Sequence, residues 1–478
     1  MSGDSSSGSR GGHGGAASRA GECVECAVRS SLRRTVLMPR LPLHYCPSGG
    51  RSPRRPRAGS RELGTKVSAL GRKTMPALDG MRILDMTQYE AGTSCTQALA
   101  WLGADVVKIE RPGSGDPGRG AFDEYGFEDS EYFLNWNSNK RSVTLALDTP
   151  EGRELLLKMA PRYDAFVENF GPGVVEKLDI GYDVLKEANP AIIYGRIKGF
   201  GLSGPYAEFK CFDPVAQAAG GSMSVTGEAG EAPVRPGATI GDAGTGVQMA
   251  LALCAAYVQK LRTGKGQMIE LSMQEAVTYY IRTAIAMGSN FGEQASQRNG
   301  NGIGAVANLY PCKPEGPNDF IYICAITPRM WQSLCAVMDR PDLPEDPRFV
   351  KSRLRLENGE TLAAEISAWT RQHDKHEAML LLGEAGVPAS AVFDTVDLFN
   401  DPHLLERDFV HTIPHPKRGT MRLLAWPARM TESSVDIEPA PFLGGHTDEV
   451  LAADLGLGAE DIAALREQGV IGAEPTID

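Results

Sequence analysis

The residue with the greatest chemical potential in this sequence is Asp242, which stands in the glycine-rich octapeptide TIGDAGTG at residues 239–246. An apolar run at 247–261 follows, and its Ala, Leu and Met content predicts a buried helix. Asp242 would then lie at a helix N-terminus, where free N–H groups and the helix dipole favour an ionised carboxylate. Two interpretations stay open from these residues: an ordinary helix cap, or a nucleophile that forms a covalent acyl intermediate.

Alternating strand and helix patterns surround this octapeptide and would position it. Such alternation predicts an α/β fold with a doubly wound, mostly parallel sheet, which binds ligands at the carboxyl ends of its strands. Further strand and helix patterns predict a smaller α/β domain, and apolar residues near the C-terminus predict one or two closing helices. The predicted strands of the main sheet are 82–86, 105–110, 142–147, 165–169, 191–198 and 268–272, and the later segments are 320–393 and 448–469.

The charge is distributed unevenly. The net charge is -11, yet residues 1–74 carry 14 Lys and Arg against 4 Asp and Glu, which leaves the rest of the chain strongly acidic. An acidic body predicts no nucleic-acid partner, so an anionic ligand must be held by local cations. No apolar run is long enough to span a bilayer, which predicts no membrane partner.

Residues 1–74 are rich in Gly, Ser, Arg and Pro, which predicts a disordered basic extension. They are either a transit segment, which would place the protein in the mitochondrial matrix, or upstream sequence before a true start at Met75. Their Gly and Pro content favours the second explanation and a cytoplasmic location. Cys23 and Cys26 form a CxxC without a second pair, so we predict no metal site there.

Two common catalytic signatures are absent or misplaced. The glycines of a GxGxxG pattern, Gly113, Gly115 and Gly118, follow the second strand instead of the first, and no helix pattern begins there. No histidine lies between residues 45 and 372, which excludes a Ser–His–Asp triad confined to the main sheet.

Basic residues near the predicted strand ends are candidate phosphate ligands. The segment Asn169-Phe170-Gly171 also closes a strand and exposes backbone beside an aromatic ring. Together these groups could hold phosphates and an adenine, although each alone is more typical of an ordinary surface charge. The cations are Arg111, Lys140, Arg141, Lys177 and Lys210.

Six segments in order along the chain jointly resemble the class III CoA-transferases, the CaiB/BaiF type. They are LDGMRILDMTQYEAGTSCTQALAWLGADVVKIERPGSGDPGR, NSNKRSVTLAL, VENFGPGVVEKL, GDAGTG, GKGQMIELSMQEAV and GGHTDEVL. The resemblance implies a large CoA-binding catalytic domain at 75–289, a small domain at 290–425 and a C-terminal segment at 426–478 that returns to the large domain. It also implies a homodimer of two interlocked chains.

The resemblance assigns the catalytic role to Asp242 and implies a set of CoA contacts. The contacts are Glu90, Ala91, Arg111, the stretch from Leu145 to Asp148, Asn169, Phe170, Gly171, Lys177, Lys210, Phe212 and Asp213. The family's mobile glycine run over the active site is reduced here to Gly300, Gly302 and Gly304. Where formyl-CoA transferases of the family carry Gln, Arg and Tyr, this chain has Glu90, Lys177 and Phe212, which affects substrate identity more than chemistry.

The activity implied is transfer of CoA from an acyl-CoA donor to a small carboxylic acid acceptor, through an aspartyl anhydride and an aspartyl-CoA thioester. The CoA thioester is a substrate, and neither a permanently bound cofactor nor a metal is expected. Backbone N–H groups near residues 241–244 or 300–304 are candidate donors to the oxyanion. Two alternatives remain: a racemase or epimerase of the same fold, whose histidine would fall at Phe212, and a non-catalytic CoA-binding protein.

Overall fold

Six parallel strands form the main sheet of this chain in the computed structural model. The structure describes residues 75–122 and 129–473, so the predictions for residues 1–74, including the CxxC, lie outside the described part. The sheet has the order β3-β2-β1-β4-β5-β6, which confirms the doubly wound α/β prediction. Its strands are β1 (Arg82–Asp85), β2 (Asp105–Glu110), β3 (Arg141–Thr144), β4 (Ala165–Glu168), β5 (Ile193–Lys198) and β6 (Met268–Ser272).

The strand order reverses between β1 and β4, which pair in parallel with Leu84 beside Phe166. In a doubly wound sheet, the crevice beyond the carboxyl ends of the strands at this reversal is where ligands bind. β1 ends at Asp85 and β4 ends at Glu168. The segments that follow these two strands, 86–90 and 169–173, therefore border the crevice.

Helices cover both faces of this sheet. Ile83 packs with the helices on one face and Leu84 with those on the other, as the two-residue period of a strand requires. The first face carries α1 (Ala91–Ala100), α6 (Asp213–Ala219), α7 (Ala243–Thr263) and α8 (Met273–Tyr280). The second carries α3 (Pro150–Met159), α5 (Tyr182–Ala188), α16 (Thr447–Leu455) and α17 (Ala459–Glu467), so the predicted closing helices are present. Two further helices near the sheet are α2 (Glu131–Asn137) and α4 (Val174–Lys177).

Helix α7 departs from the buried helix that its sequence predicts. Met249 and Leu253 are fully buried against the sheet, but Leu251 is 72% exposed and Leu261 is 68% exposed. The helix is apolar on more sides than one sheet face can cover, because an apolar stripe facing a single partner occupies only part of its circumference. The prediction of burial is therefore wrong for the outer face of α7.

The later part of the chain forms two small antiparallel sheets. One has the order β7-β8-β9 and packs with α10, α12 and α13 around Ile321, Leu334 and Ile366. The other is a hairpin of β10 and β11. The strands are β7 (Ala307–Pro311), β8 (Phe320–Cys324), β9 (Ala389–Ala391), β10 (Val410–His415) and β11 (Gly419–Leu424). The helices are α9 (Arg282–Gly288), α10 (Pro328–Val337), α11 (Ser352–Glu357), α12 (Gly359–Thr370), α13 (Lys375–Glu384), α14 (Thr395–Asn400) and α15 (Pro402–Glu406). In the described ranges, no helix combines the length and apolar content that crossing a membrane would need.

Candidate active site

Asp242 occupies the N-cap position of helix α7, but its side chain does not cap the helix. Among the described residues, no backbone N–H of the first turn donates a hydrogen bond to its carboxylate. The ordinary helix cap, one of the two interpretations of this residue, therefore describes its position and not its bonding. The carboxylate oxygens remain available to a ligand.

The N–H groups around Asp242 are bonded to other acceptors. Gly241 donates to Asp213 Oδ1 at 2.9 Å, and Asp242 donates to the carbonyl oxygen of Thr239 at 3.1 Å. The N–H of Ala243 faces the carboxylate of Glu90 and favours its ionised form, and this carboxylate accepts a hydrogen bond from the hydroxyl of Thr239. The candidate oxyanion donors of this segment thus already face two carboxylates that flank Asp242.

This arrangement reverses the expected protonation preference of Asp242. Burial, then the nearby carboxylates of Glu90 and Asp213, raise the pKa of Asp242 from its usual 3.8 to about 7. The helix dipole was expected to favour the ionised form, and that expectation is wrong here. Desolvation and the two neighbouring carboxylates raise the pKa of Asp242 more than the helix dipole lowers it. The N–H groups nearest to Asp242 already face those carboxylates.

Two glycines are required for this geometry. A Cβ on Gly246 would lie 2.0 Å from Ser94 Oγ and 2.7 Å from the carbonyl oxygen of Ala91, so this glycine lets α7 approach α1. A Cβ on Gly241 would lie 2.8 Å from both the carbonyl oxygen and Oδ1 of Asp213. These two glycines therefore let α7 pack closely on α1 and let the segment before Asp242 approach the carboxylate of Asp213.

Asp242 lines a cavity of about 280 Å³ beside the carboxyl ends of β4 and β5. Seven residues that the sequence proposed for the site line this cavity together. They are Ala91, Asn169, Phe170, Gly171, Lys210, Phe212 and Asp242. The remaining lining includes Gln88, Tyr89, Lys198 and Cys211, of which Tyr89 packs edge-to-face on Phe212 with ring centroids 6.1 Å apart.

A second cavity of about 190 Å³ lies at the carboxyl ends of β1 and β2. Of the proposed site residues, Arg111, Leu145, Asp148 and Phe170 line it. Arg111 Nη2 lies 3.2 Å from Asp148 Oδ2 in an exposed ion pair. Gln88 and Phe170 line both cavities, so the two spaces adjoin along the crevice at the strand reversal.

The side chain of Asn169 links the two segments that border this crevice, 86–90 and 169–173. Its Oδ1 accepts the backbone N–H of Gln88 at 2.8 Å, and its Nδ2 donates to the carbonyl oxygen of Gln88 at 2.9 Å. Asn169 therefore fixes the segment after β1 to the segment after β4. Its side-chain groups are engaged in this contact, which makes it a structural clamp at the place where the sequence suggested a direct ligand contact.

The other proposed site residues lie outside the linings of these cavities. Glu90 and Asp213 are buried behind Asp242, in the contacts already described. Lys177 is exposed at the end of α4, next to Leu178, which lines the smaller cavity. Gly300 donates its N–H to the carbonyl oxygen of Gly227 at 2.9 Å, Gly302 donates to that of Asn299 at 3.1 Å, and Gly304 forms a β-bridge with Ala307. The structure therefore does not bring these three glycines into the lining of the cavity at Asp242.

Four residues of the site escaped the sequence analysis. Tyr132 in α2 faces the carboxylate of Glu90, and Gln88 lines both cavities. Glu168 and Lys198 are buried charged residues at the carboxyl ends of β4 and β5. A charged residue closing an apolar strand is a detectable signal, whereas Tyr132 offered none because its helix was not predicted.

The described ranges contain no group of three or more His, Cys, Asp or Glu side chains suited to holding a metal ion. The absence of a metal from the reaction stays a prediction.

Comparison with known proteins gives consistent matches across the described fold. The model of CoA-transferase family III matches residues 78–447. A formyl-CoA:oxalate CoA-transferase of Streptomyces coelicolor is 39% identical over 412 residues, which cover 83% of this chain and 100% of the relative. Another, from Rhodopseudomonas palustris strain BisA53, is 38% identical over 415 residues, with 83% and 97% covered.

Solved structures of similar fold agree with these matches. A CAIB/BAIF family protein from Brucella suis superposes with a TM-score of 0.72 at 30% identity and covers 80% of this chain and 100% of its own. Rv3272 from Mycobacterium tuberculosis superposes with a TM-score of 0.67 at 28% identity, covering 79% and 99%.

Proposed function

The chain belongs to CoA-transferase family III and is an enzyme that transfers CoA, and we propose that it does so through covalent intermediates on Asp242. The observation that carries this proposal is the uncapped carboxylate of Asp242 in a cavity that adjoins a second one past Gln88 and Phe170. A CoA thioester laid along this crevice would have its thioester at Asp242 and its nucleotide near Arg111.

The reaction proposed has four balanced steps. Asp242 attacks the thioester carbonyl of the donor, forms a mixed anhydride and releases CoA thiolate. The thiolate attacks the aspartyl carbonyl, which gives an aspartyl-CoA thioester and frees the donor acid. The acceptor carboxylate attacks that thioester, forms a new anhydride and releases the thiolate again. The thiolate then attacks the acceptor's acyl carbonyl, which yields the product thioester and restores the Asp242 carboxylate.

Each intermediate is close in energy to the thioester it replaces, so we propose that the reaction needs no metal and no permanently bound cofactor. The cations proposed for the CoA phosphates are Arg111, Lys177 and Lys210, because both Arg and Lys bind phosphate oxygens. Of these, Arg111 and Lys210 line the two cavities.

The oxyanion of each addition step needs hydrogen-bond donors, and among the described residues the N–H groups next to Asp242 already face other acceptors. The N–H of Gly241 is bonded to Asp213, and the N–H of Ala243 faces the carboxylate of Glu90. We therefore propose that the segment of Gly300, Gly302 and Gly304 moves over the anhydride and excludes water. In that movement it would exchange its present N–H bonds to Gly227 and Asn299 for bonds to the oxyanion.

An acceptor carboxylate must approach a nucleophile that already has two acidic neighbours. Arg235 offers a compensating charge: its Nη1 lies 3.7 Å from Asp213 Oδ2, and its side chain is 49% exposed. Asp213 Oδ2 is also served by Gln217 Nε2 at 2.7 Å, so Asp213 does not depend on this arginine. We propose that the guanidinium of Arg235 attracts the acceptor acid.

The exposed outer face of α7 supports the proposed homodimer. Val247, Leu251, Val258 and Leu261 all leave large apolar surfaces in solvent along one long helix. Contiguous apolar surface of this kind typically marks an interaction site. A second copy of the chain, interlocked as the family resemblance implies, would cover it.

The experiment that tests the nucleophile is acyl exchange by Asp242→Ala. We expect transfer from formyl-CoA or succinyl-CoA to a panel of carboxylic acids to fall by at least about a thousandfold, while CoA binding persists. Retention of near-normal transfer would refute the role of Asp242. Asp242→Glu should also fail, because one extra methylene displaces the attacking oxygen.

The two alternatives predict different results in the same assays. A racemase or epimerase would exchange the α-proton of an acyl-CoA for deuterium without an acceptor acid, whereas Phe212, at the position of the expected histidine, cannot carry a proton. A non-catalytic CoA-binding protein would bind CoA and turn over no acid.

A further inference from the structure

Lys198, the last residue of β5, is a buried lysine in the lining of the larger cavity. Its Nζ donates to the carbonyl oxygen of Phe170 at 2.6 Å and to Glu168 Oε2 at 2.9 Å. Because Phe170 lines both cavities, this lysine holds the residue that stands between them.

Glu168, the last residue of β4, completes the arrangement from the other side. It is fully buried, and its Oε2 accepts the backbone N–H of Phe170 at 2.8 Å. Its Oε1 accepts from Arg196 Nε at 2.9 Å. The backbone carbonyl and N–H groups of Phe170 are therefore both hydrogen-bonded to the Lys198–Glu168 pair. Arg196, in β5, bonds that pair to the sheet.

We propose that Lys198 and Glu168 are positioning residues that set the Asn169-Phe170-Gly171 turn for binding of the CoA thioester. This inference rests on the proposed function, because it takes the crevice beside that turn as the CoA site. It assigns the pair to CoA binding and to neither the nucleophile nor the acceptor acid.

Buried, charge-assisted hydrogen bonds suit such a role. They are shorter and stronger than neutral ones, and removing one partner leaves the other charge unpaired in a medium of low dielectric. The turn would then be free to move, and it carries both the Phe170 ring and the Asn169 clamp on Gln88. A displacement on the order of 1 Å is enough to weaken a positioned ligand substantially.

The chain supplies a matched control for a merely structural ion pair. Lys260 Nζ lies 2.8 Å from Asp164 Oδ1 and 3.5 Å from the carbonyl oxygen of the same residue. Like Lys198, it joins a carboxylate to a backbone carbonyl. Asp164 directly precedes β4, however, so this pair lies at the opposite edge of the sheet from both cavities.

The test compares Lys198→Met with Lys260→Met in the full chain. We expect the Kd of CoA, measured by calorimetry, to rise about tenfold or more in Lys198→Met and to stay within about twofold in Lys260→Met. In steady-state kinetics, kcat/KM for acyl-CoA should fall by a similar factor in Lys198→Met, while kcat/KM for the acceptor acid is preserved. Hydrogen exchange should quicken in peptides covering 168–171 only in the Lys198 variant.

Lys198→Arg, which keeps the charge and the donors, should recover most of the affinity; Lys198→Gln serves in place of the Met variant if that one does not fold. Equal loss of CoA affinity in both Met variants, or none in either, would overturn the inference. If the wild-type protein binds CoA yet transfers it to no acid, the proposed function fails while the comparison of Kd values still decides this inference. A wild-type protein that binds no CoA would overturn both.

Discussion

Asp213 Oδ1 accepts the backbone N–H of Gly241 at 2.9 Å, one residue before Asp242. A carboxylate thus occupies an N–H group that was a candidate oxyanion donor, and the carboxylate of Glu90 faces the N–H of Ala243. The pair holds the loop in place while its charge discourages ionisation of Asp242. The pH dependence of catalysis and of stability at Asp242 follows from this relationship.

The pH dependence of the first half-reaction should report Asp242. Only the ionised carboxylate attacks, and its pKa is raised to about 7, so kcat/KM for acyl-CoA should rise with pH through a midpoint near 7. The described titratable groups that face it include Glu90 before α1, Asp213 at the start of α6, Cys211 just before α6, and Tyr132 in α2.

Glu90→Gln removes one of the two like charges. The midpoint should then move to lower pH, by about half to one pH unit, because the ionised form of Asp242 is less opposed. Kinetics of wild type and variant from pH 5 to 9 measure this shift. A midpoint that stays in place or rises would contradict the assigned electrostatics.

Asp242→Asn should stabilise the fold, and only at higher pH. The folded chain holds the proton of Asp242 more tightly than the unfolded chain does, so this group's contribution to stability declines as pH rises from 3.8 to about 7. Replacing it should raise the free energy of unfolding by about 1 kcal/mol or more at pH 8 and change little near pH 4. Urea titrations at both values measure this, and an equal effect at the two would be contrary evidence.

Arg235→Ala should weaken the acceptor half of the reaction alone. We expect KM for the acceptor acid to rise about tenfold as the charge that attracts the anion is lost, with KM for acyl-CoA within about twofold of wild type. Arg353→Ala is a suitable control, because Arg353 is exposed in an i,i+4 pair with Glu357 in the later part of the chain. An equal rise for both substrates would argue against a separate acceptor site.

Leu251→Glu should disrupt self-association. A buried, unpaired carboxylate at an apolar interface is costly, so the variant should sediment as monomer or aggregate where the wild type sediments as dimer. Leu380→Glu, at an exposed leucine of α13, is the matched control and should leave the sedimentation unchanged. A dimer that survives Leu251→Glu would show that this face is not the interface.

The crevice could be predicted from the sequence because its borders are strand ends, and strand ends follow from local patterns. The approach of Glu90, Asp213 and Asp242 could not, since it depends on the close packing of α1 and α7 across Gly246. Glu90 and Asp213 were predicted as site residues from the family resemblance and not from a local pattern.

The exposed face of α7 shows the limit of periodicity. An apolar run has the same pattern whether the same chain or a second copy covers it. The sequence therefore predicted burial but did not identify the covering surface. The protonation of Asp242 was missed for a related reason. The helix dipole is a local property, whereas the opposing charges come from residues 29 and 152 positions away in sequence.

The most direct test of covalent catalysis by Asp242 is trapping of its acylated carboxylate. The protein is incubated with acyl-CoA and hydroxylamine without an acceptor acid, digested and analysed by mass spectrometry. We expect a hydroxamate on Asp242, formed only when acyl-CoA is present. A modification on any other residue, or complete transfer activity with Asp242 never modified, would contradict it.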